Sequence, residues 1–280
     1  VRLDDTGYAK LNLALHVRRR RDDGYHDLET IFAFTELGDE LSVAPADELT
    51  LTLDGPFAKL VPPGDDNLVL RAARALDAAA GGEGRGATIA LDKRLPIAAG
   101  LGGGSADAAA ALRLLNRLWG IDWPLDRLAA IGAGLGADVA ACVISRTTRG
   151  EGRGEALVPI DDAGLAGTAV LLVNPRVAVP TPAVFARWDG KDRGPLAVGD
   201  PVAAAAAGRN DLEPAALGLA PVIGEVLEAL AEVKGAQFVR MSGSGATCFA
   251  LLANDHAAAA GADAIAAAHS GWWVAATRLR

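Results

Sequence analysis

The sequence is short of the residues that mark several functional classes. Of its 280 residues two are cysteine, one is methionine, four are histidine and 5% are aromatic. Cys142 and Cys248 lie far apart in apolar surroundings, which predicts buried free thiols in a reducing compartment rather than a disulfide. The histidines show no ligand spacing such as H-E-x-x-H, so no metal site is expected from the protein itself. A net charge of -8 leaves no broad positive footprint for a polyanion, and no nucleic-acid partner is expected. No apolar run reaches bilayer-spanning length and no charged-then-apolar leader opens the chain. A cytoplasmic protein without membrane attachment is therefore expected. Because the numbering begins at Val1 and Met241 is the single methionine, the native start is expected to lie before the first residue.

What the sequence does have is 51% hydrophobic residues, rich in alanine and glycine. That composition suits an α/β or α+β protein of one large or two modest domains, long enough to bury a real core. Arg18-Arg19-Arg20-Arg21 is the one basic run. Followed by Asp22-Asp23-Gly24, it reads as a solvated hairpin tip.

The most informative stretch is Leu95-Pro96-Ile97-Ala98-Ala99-Gly100-Leu101-Gly102-Gly103-Gly104-Ser105-Ala106-Asp107. Glycines this dense neither pack a core nor hold regular structure cheaply. An alanine-rich segment follows, with Ala106, Ala109, Ala110, Leu114 and Leu118 at roughly helical spacing and Ser105 or Asp107 placed to cap it. A glycine loop opening into a helix N-terminus offers free N–H groups and a positive dipole end to an anion such as phosphate. A flexible connector is the competing reading. No Gly-Lys-Ser/Thr closes the loop and the third dinucleotide-fold glycine is missing, so neither familiar glycine fingerprint applies.

Other candidate residues emerge along the chain. From Tyr8 to Val17 the pattern alternates, predicting a half-buried strand with Lys10 and Asn12 on its polar face. Gly24-Tyr25-His26 is a turn before the apolar stretch 31–34, and the stretches 39–43, 49–53 and 88–93 read as further strands. Asn67 is a candidate cap for a helix beginning at Leu68. A second helix is expected over 124–131, ended by glycines. Asp138 is one acid within an apolar run, where an unpaired buried carboxylate is costly. It is either a helix cap or a working acid. Thr181-Pro182 reads as N-cap and first helical residue, with Phe185 one turn on. Residues 169–175 read as a buried strand, 222–233 and 257–268 as helices, and 239–250 as strand, glycine turn, strand. The segment 189–207 has no clear assignment.

Pro96-x-x-x-Gly100-Leu101-Gly102-Gly103-Gly104-Ser105-Ala106 resembles the ATP loop of the GHMP kinases, a superfamily of galactose, homoserine, mevalonate and phosphomevalonate kinases. Gly103-Gly104 stands where many members carry two serines, and this departure resembles the diphosphocytidyl-methylerythritol kinase branch. Tyr8-Ala9-Lys10-Leu11-Asn12-Leu13, Asp23-Gly24-Tyr25-His26, the Gly136-Ala137-Asp138-Val139 segment, Thr181-x-x-x-Phe185 and Ser242-Gly243-Ser244-Gly245 resemble that branch in the same order along nearly the whole chain. Ala140 stands where proline is usual. The resemblance implies an α+β fold of two domains, 1–155 and 156–280. The first would be ribosomal S5-like and the second ferredoxin-like, with the active site in the interdomain cleft.

It also implies an enzyme that moves the γ-phosphoryl of ATP to a cytidylated polyol, with Mg²⁺ arriving on ATP. Asp138 would be the general base and Lys10 its electrostatic partner. Asn12, Tyr25, His26, Thr181 and Phe185 would hold the substrate, Tyr25 and Phe185 sandwiching its cytosine. Asn67 and Leu68 would serve the adenine, Lys93 would approach the nucleotide, and the loop from Pro96 through Ala106 would hold the phosphates, with the 242–245 motif lying against it. The chain would act as a monomer or weak homodimer. Another GHMP small-molecule kinase, or a non-catalytic regulator of the same fold, are the alternatives.

Overall fold

Alternating apolar residues set up two long strands near the start of the chain, β1 (Leu3–Arg20) and β2 (His26–Ala44), joined by the turn at Gly24. The computed structural model describes residues 1–62, 64–162 and 164–280. β2 merges the two stretches expected as separate strands. Gly38, between them, does not break it: a Cβ there would stand 2.5 Å from the carbonyl oxygen of Gly7, so the glycine permits close approach of two backbones. The basic run does end in a solvated turn, where Arg19 and Arg21 pair with Asp27. β1 differs from its expected half-burial, because every residue from Ala9 to Val17 is buried. Its polar side chains are matched inside the protein by partners distant in sequence, a feature that alternation alone does not encode.

The chain forms two compact units that interleave along the sequence. The first comprises Val1–Lys10, Gly38–Ile97 and Gly102–Ser145, the second Leu11–Leu37, Ala98–Leu101 and Arg146–Arg280. In the first, β4 (Ala87–Asp92) pairs antiparallel with the end of β2 and parallel with β3 (Leu49–Asp54). Its helices are α1 (Leu68–Ala79), α2 (Gly103–Leu118), α3 (Leu125–Leu135) and α4 (Val139–Ile144). Asn67 caps α1 as expected, its Oδ1 accepting from the Val69 N–H at 2.9 Å. α2 packs against α1, α3 and α4, and its alanines 108–111 are fully buried. Small side chains let neighbours close around this helix on several sides. α3 runs past the glycines expected to end it. A Cβ on Gly132 would lie 3.0 Å from a Val139 methyl, so this glycine serves the close approach of α3 to α4.

In the second unit β5 (Thr148–Glu151) pairs with β2 and with β6 (Ala156–Pro159). A separate antiparallel sheet has the order β10 (Trp273–Arg278), β7 (Ala169–Asn174), β9 (Cys248–Leu252), β8 (Ala236–Met241). With helices between β7 and β8 and between β9 and β10, this is the split βαβ arrangement of ferredoxin-like folds. Those helices are α5 (Thr181–Ala186), α6 (Pro201–Ala207), α7 (Glu213–Leu219), α8 (Val222–Ala231) and α9 (Asp255–Ala268). Ile223, Val226 and Leu230 of α8 and Ile265 of α9 share one core with Leu171, Val173 and Leu252.

Two local expectations change here. α5 begins one residue early, with Pro180 at the cap and Thr181 as its first residue. The segment without an assignment contains α6, capped by Asp200 Oδ1 on the Ala203 N–H at 2.7 Å. Buried Arg240 of β8 donates to the carbonyl oxygens of Ala205, Gly208 and Leu13, so the end of α6 is satisfied by a side chain remote in sequence.

Candidate active site

The glycine loop does enter a helix, but its cap is not the expected Ser105 or Asp107. Gly102 occupies that position in the left-handed region, with φ 63°, and no side chain caps α2. Gly103, Gly104 and Ser105 are therefore the first three helical residues, whose N–H groups have no carbonyl partner within the helix. A Cβ on Gly104 would meet nothing within 4 Å, so this face of the turn is open. Pro96, Leu101 and Ala106 are buried.

The earlier part of the loop is braced within the second unit. Gly100 has φ 78°, and a Cβ there would stand 2.3 Å from the Ser242 carbonyl oxygen. Ser242 Oγ donates to the Gly100 carbonyl at 2.9 Å and accepts from the Asn12 N–H at 3.1 Å. Thr247 N–H donates to the Ala99 carbonyl at 3.0 Å, so the later glycine turn lies against the loop as expected. Asn210 reinforces that turn, its amide donating to the carbonyls of Met241 and Gly243 at 2.8 Å each.

Lys10 and Asp138 meet at the cap of α2. Lys10 Nζ lies 3.3 Å from Asp138 Oδ2, the lysine side chain 4% exposed and the aspartate 35%. Asp138 precedes α4 yet makes no side-chain capping bond, so its carboxylate is turned to the lysine instead. A Cβ on Gly102 would lie 3.1 Å from Lys10 Cε and 3.8 Å from Asp138 Oδ2. Both charged groups thus converge on the backbone residue that opens the glycine-led helix α2. Ala140 is buried in α4, and the helix forms without the usual proline.

Lys93 is in a different situation. It is 1% exposed, with Nζ 2.5 Å from Asp39 Oδ2 and 2.6 Å from Asp107 Oδ2. Its ammonium is enclosed by carboxylates rather than presented to solvent. Asn67 and Leu68 head α1, where Asn67 is occupied as the cap.

The remaining expected substrate residues belong to the second unit. Asn12 donates its amide to Thr30 Oγ1 at 2.8 Å. Tyr25 is 55% exposed, and the Arg153 guanidinium sits 4.9 Å from its ring centre, a cation–π arrangement. His26 is buried, its ring centre 4.9 Å from that of Phe185, and Trp188 meets it edge-on at 5.6 Å. The ring that faces Phe185 is therefore His26. His26 Nε2 and Trp188 Nε1 are buried without a hydrogen-bond partner. Burial, with the positive charge of Arg20, lowers the His26 pKa. Thr181 Oγ1 and Ser244 Oγ lie 2.8 Å apart, linking α5 to the glycine turn.

Asp39, Arg153 and Trp188 were not singled out as site residues by sequence, and Asp107 was read only as a possible helix cap. Asp107, a carboxylate inside an alanine run, carried the same signal that drew attention to Asp138. Asp39 carried none, since an acid near a strand middle is ordinary unless its burial is known.

Residues 67–146 match the family described as GHMP kinases N terminal domain, and residues 196–271 match GHMP kinases C terminal. A 4-diphosphocytidyl-2-C-methyl-D-erythritol kinase of Rhizorhabdus wittichii is 58% identical over 278 residues, covering 99% of this chain and 94% of that protein. One of Sphingopyxis alaskensis is 50% identical over 282 residues, covering 99% and 98%. A crystal structure of 4-(cytidine 5'-diphospho)-2C-methyl-D-erythritol kinase superposes with TM-score 0.80 at 35% identity over 99% of both chains. Homoserine kinase from Cytophaga hutchinsonii, 18% identical, shares the fold with TM-score 0.73 over 99% of this chain and 95% of its own. The loop, the lysine–aspartate pair at its helix and the full-length likeness agree, and the chain belongs to the 4-diphosphocytidyl-2-C-methyl-D-erythritol kinase family of the GHMP kinases.

Proposed function

We propose that this chain transfers the γ-phosphoryl group of ATP to the 2-hydroxyl of 4-diphosphocytidyl-2-C-methyl-D-erythritol, a step of the non-mevalonate route to isoprenoid precursors. One observation supports the chemistry above all others. Lys10 and Asp138, 3.3 Å apart, stand at Gly102, the cap of a glycine-led helix. Phosphoryl transfer needs an in-line hydroxyl, neutralised phosphates and a destination for the hydroxyl proton. The N–H groups of Gly103, Gly104 and Ser105, at the positive end of the α2 dipole, suit the phosphates.

The part-exposed Asp138 carboxylate takes the proton as the substrate oxygen attacks the γ-phosphorus and the bond to the β,γ-bridging oxygen breaks, releasing ADP. Buried Lys10 keeps that carboxylate oriented and offsets charge building on the moving phosphoryl. Mg²⁺ would neutralise the phosphates. Among the described residues no three His, Cys, Asp or Glu side chains are gathered as a metal cage. An ion carried largely by phosphates and waters fits that arrangement, because Mg²⁺ needs few protein ligands.

Asn12, two residues beyond Lys10 on β1, is assigned to the polyol. His26, Phe185 and Tyr25 are assigned to cytosine, for which aromatic faces offer stacking and the unpartnered His26 Nε2 a polar edge. Asn67 and Leu68 at the head of α1 are assigned to the adenine. The chain is proposed to work in the cytoplasm, as a monomer or weak homodimer, without nucleic acid. Among the described residues no helix is long and apolar enough to cross a membrane.

The test is ADP release by the purified chain with ATP and three acceptors: the cytidylated substrate, its uridylated analogue and uncytidylated methylerythritol phosphate. Turnover should be confined largely to the first. Equal use of all three would leave only a general small-molecule kinase, and no turnover with any would favour a binding protein of the same fold.

A further inference from the structure

The cluster beneath the next loop residue is not used by this mechanism. Two carboxylates, Asp39 and Asp107, share the single ammonium of Lys93, all three being buried. Asp39 is fully engaged: Oδ1 also accepts the N–H groups of Arg94 at 2.6 Å and Leu95 at 2.8 Å. Asp107 is not, since its Oδ1 has no partner and lies only 3.0 Å from where a Cβ on Gly7 would be. Burial pushes the Asp107 carboxyl well above the usual range although Lys93 pulls it down. Against its own desolvation, the two carboxylates raise the Lys93 pKa.

The cluster sits directly under the phosphate helix. A Cβ on Gly103 would stand 3.0 Å from Lys93 Nζ and 3.6 Å from Asp39 Oδ2. Gly103 has no side chain to stand between its backbone and the cluster. Carboxylate charge at that depth is poorly screened by water or salt and opposes an anion held by the same turn.

We infer that Lys93 is a positioning residue for the nucleotide. It masks Asp39 and Asp107 from the phosphates and fixes the height of Gly103 from below, without touching ATP. This rests on the proposed reading of the loop as an ATP site. It makes the two carboxylates unequal. Asp39 anchors the strand end through backbone N–H groups, whereas Asp107, whose pKa burial holds up, leaves excess negative charge under the phosphates only in its ionised form.

Binding of a non-hydrolysable ATP analogue to the purified full chain, measured by calorimetry, tests this together with steady-state kinetics. Measured on the alkaline side, where Asp107 is ionised, Asp107→Asn keeps an oxygen for Lys93 and removes the excess charge, so it should tighten the analogue by at least about threefold. Lys93→Met exposes the phosphates to both carboxylates and should weaken binding by at least about tenfold. Its kcat at saturating ATP should change less than about threefold, a split in KM against kcat that loss of packing alone would not produce. If Lys93→Met fails to fold, Asp107→Asn decides alone. Unchanged or weaker binding by Asp107→Asn, with wild-type binding intact, overturns the inference and leaves the kinase reading standing. If wild type itself binds no analogue, the ATP site falls and the inference with it.

Discussion

Gly102 and Gly103 are neighbours in the chain, and beneath each lies a lysine paired with carboxylate. Under Gly102, Lys10 meets one aspartate whose side chain is 35% exposed. Under Gly103, Lys93 meets two aspartates at 0% and 4% exposure. The same residue types on one turn thus produce an open pair, suited to exchanging a proton with a substrate, and a sealed cluster that locks backbone in place. Access to solvent, rather than residue type, separates chemistry from architecture here.

The sharpest way to break this comparison is to remove an acid from each cluster. Asp39→Ala leaves a buried lysine and two strand-end N–H groups short of a partner, and a broken buried pair costs about 3–5 kcal/mol. Calorimetric unfolding should show that loss, whereas wild-type stability in this variant would remove the distinction. Asp138→Asn should instead leave Tm nearly unchanged and lower kcat by about 10²-fold or more, with ATP still binding. Lys10→Ala should lower kcat comparably. Normal turnover in either folded variant would take that residue out of the proposed chemistry.

A smaller effect is expected at the aromatic residues of the second unit. Tyr25→Ala and Phe185→Ala should each cost about 1–3 kcal/mol in substrate affinity, read as a raised KM for the cytidylated acceptor with little change in KM for ATP. Phe185→Ala also removes the ring packed on His26, so it should have the larger effect and be non-additive with a His26 variant. Equal KM values in wild type and both variants would mean the base binds elsewhere.

The smallest effect is on pH dependence. His16 Nδ1 donates to the Gly194 carbonyl at 3.2 Å and Nε2 accepts the Arg209 N–H at 3.2 Å, an arrangement that holds the ring neutral. Burial, then the charge of Arg209, lowers its pKa below 6.5. The unfolded chain therefore takes up a proton first as pH falls, and stability should drop from pH 6.5 down to the folded-state value. His26 acts in the same direction. Tm measured between pH 7.5 and 5.5 should fall, less steeply in His16→Gln, and an identical slope in that variant would clear His16 of the effect.

Much of this was legible before any coordinates. Helical spacing after the glycines located α2, Asn67 announced α1, and alternation over 8–17 located β1. Asp138 was readable as an acid in an apolar run, whereas Lys10, on the polar face of a strand, was marked only by the family resemblance. Errors arose where a local signal had a distant cause. Gly132 read as the end of a helix but serves the close contact with Val139. α6 was invisible partly because its end is satisfied by Arg240, far along the chain.

The sequence by itself therefore determined the periodic elements, the cap of α1 and the glycine loop that opens α2, since each depends on neighbours within a few positions. Tertiary structure alone decided that both faces of β1 are buried, that the His26 ring packs on Phe185, and that Lys93 is sealed while the Asp138 carboxylate stays open. The physical reason is that burial and charge pairing are properties of what surrounds a side chain. The partner that closes Lys93 off, Asp39, lies 54 residues away in the sequence, beyond the reach of any local pattern.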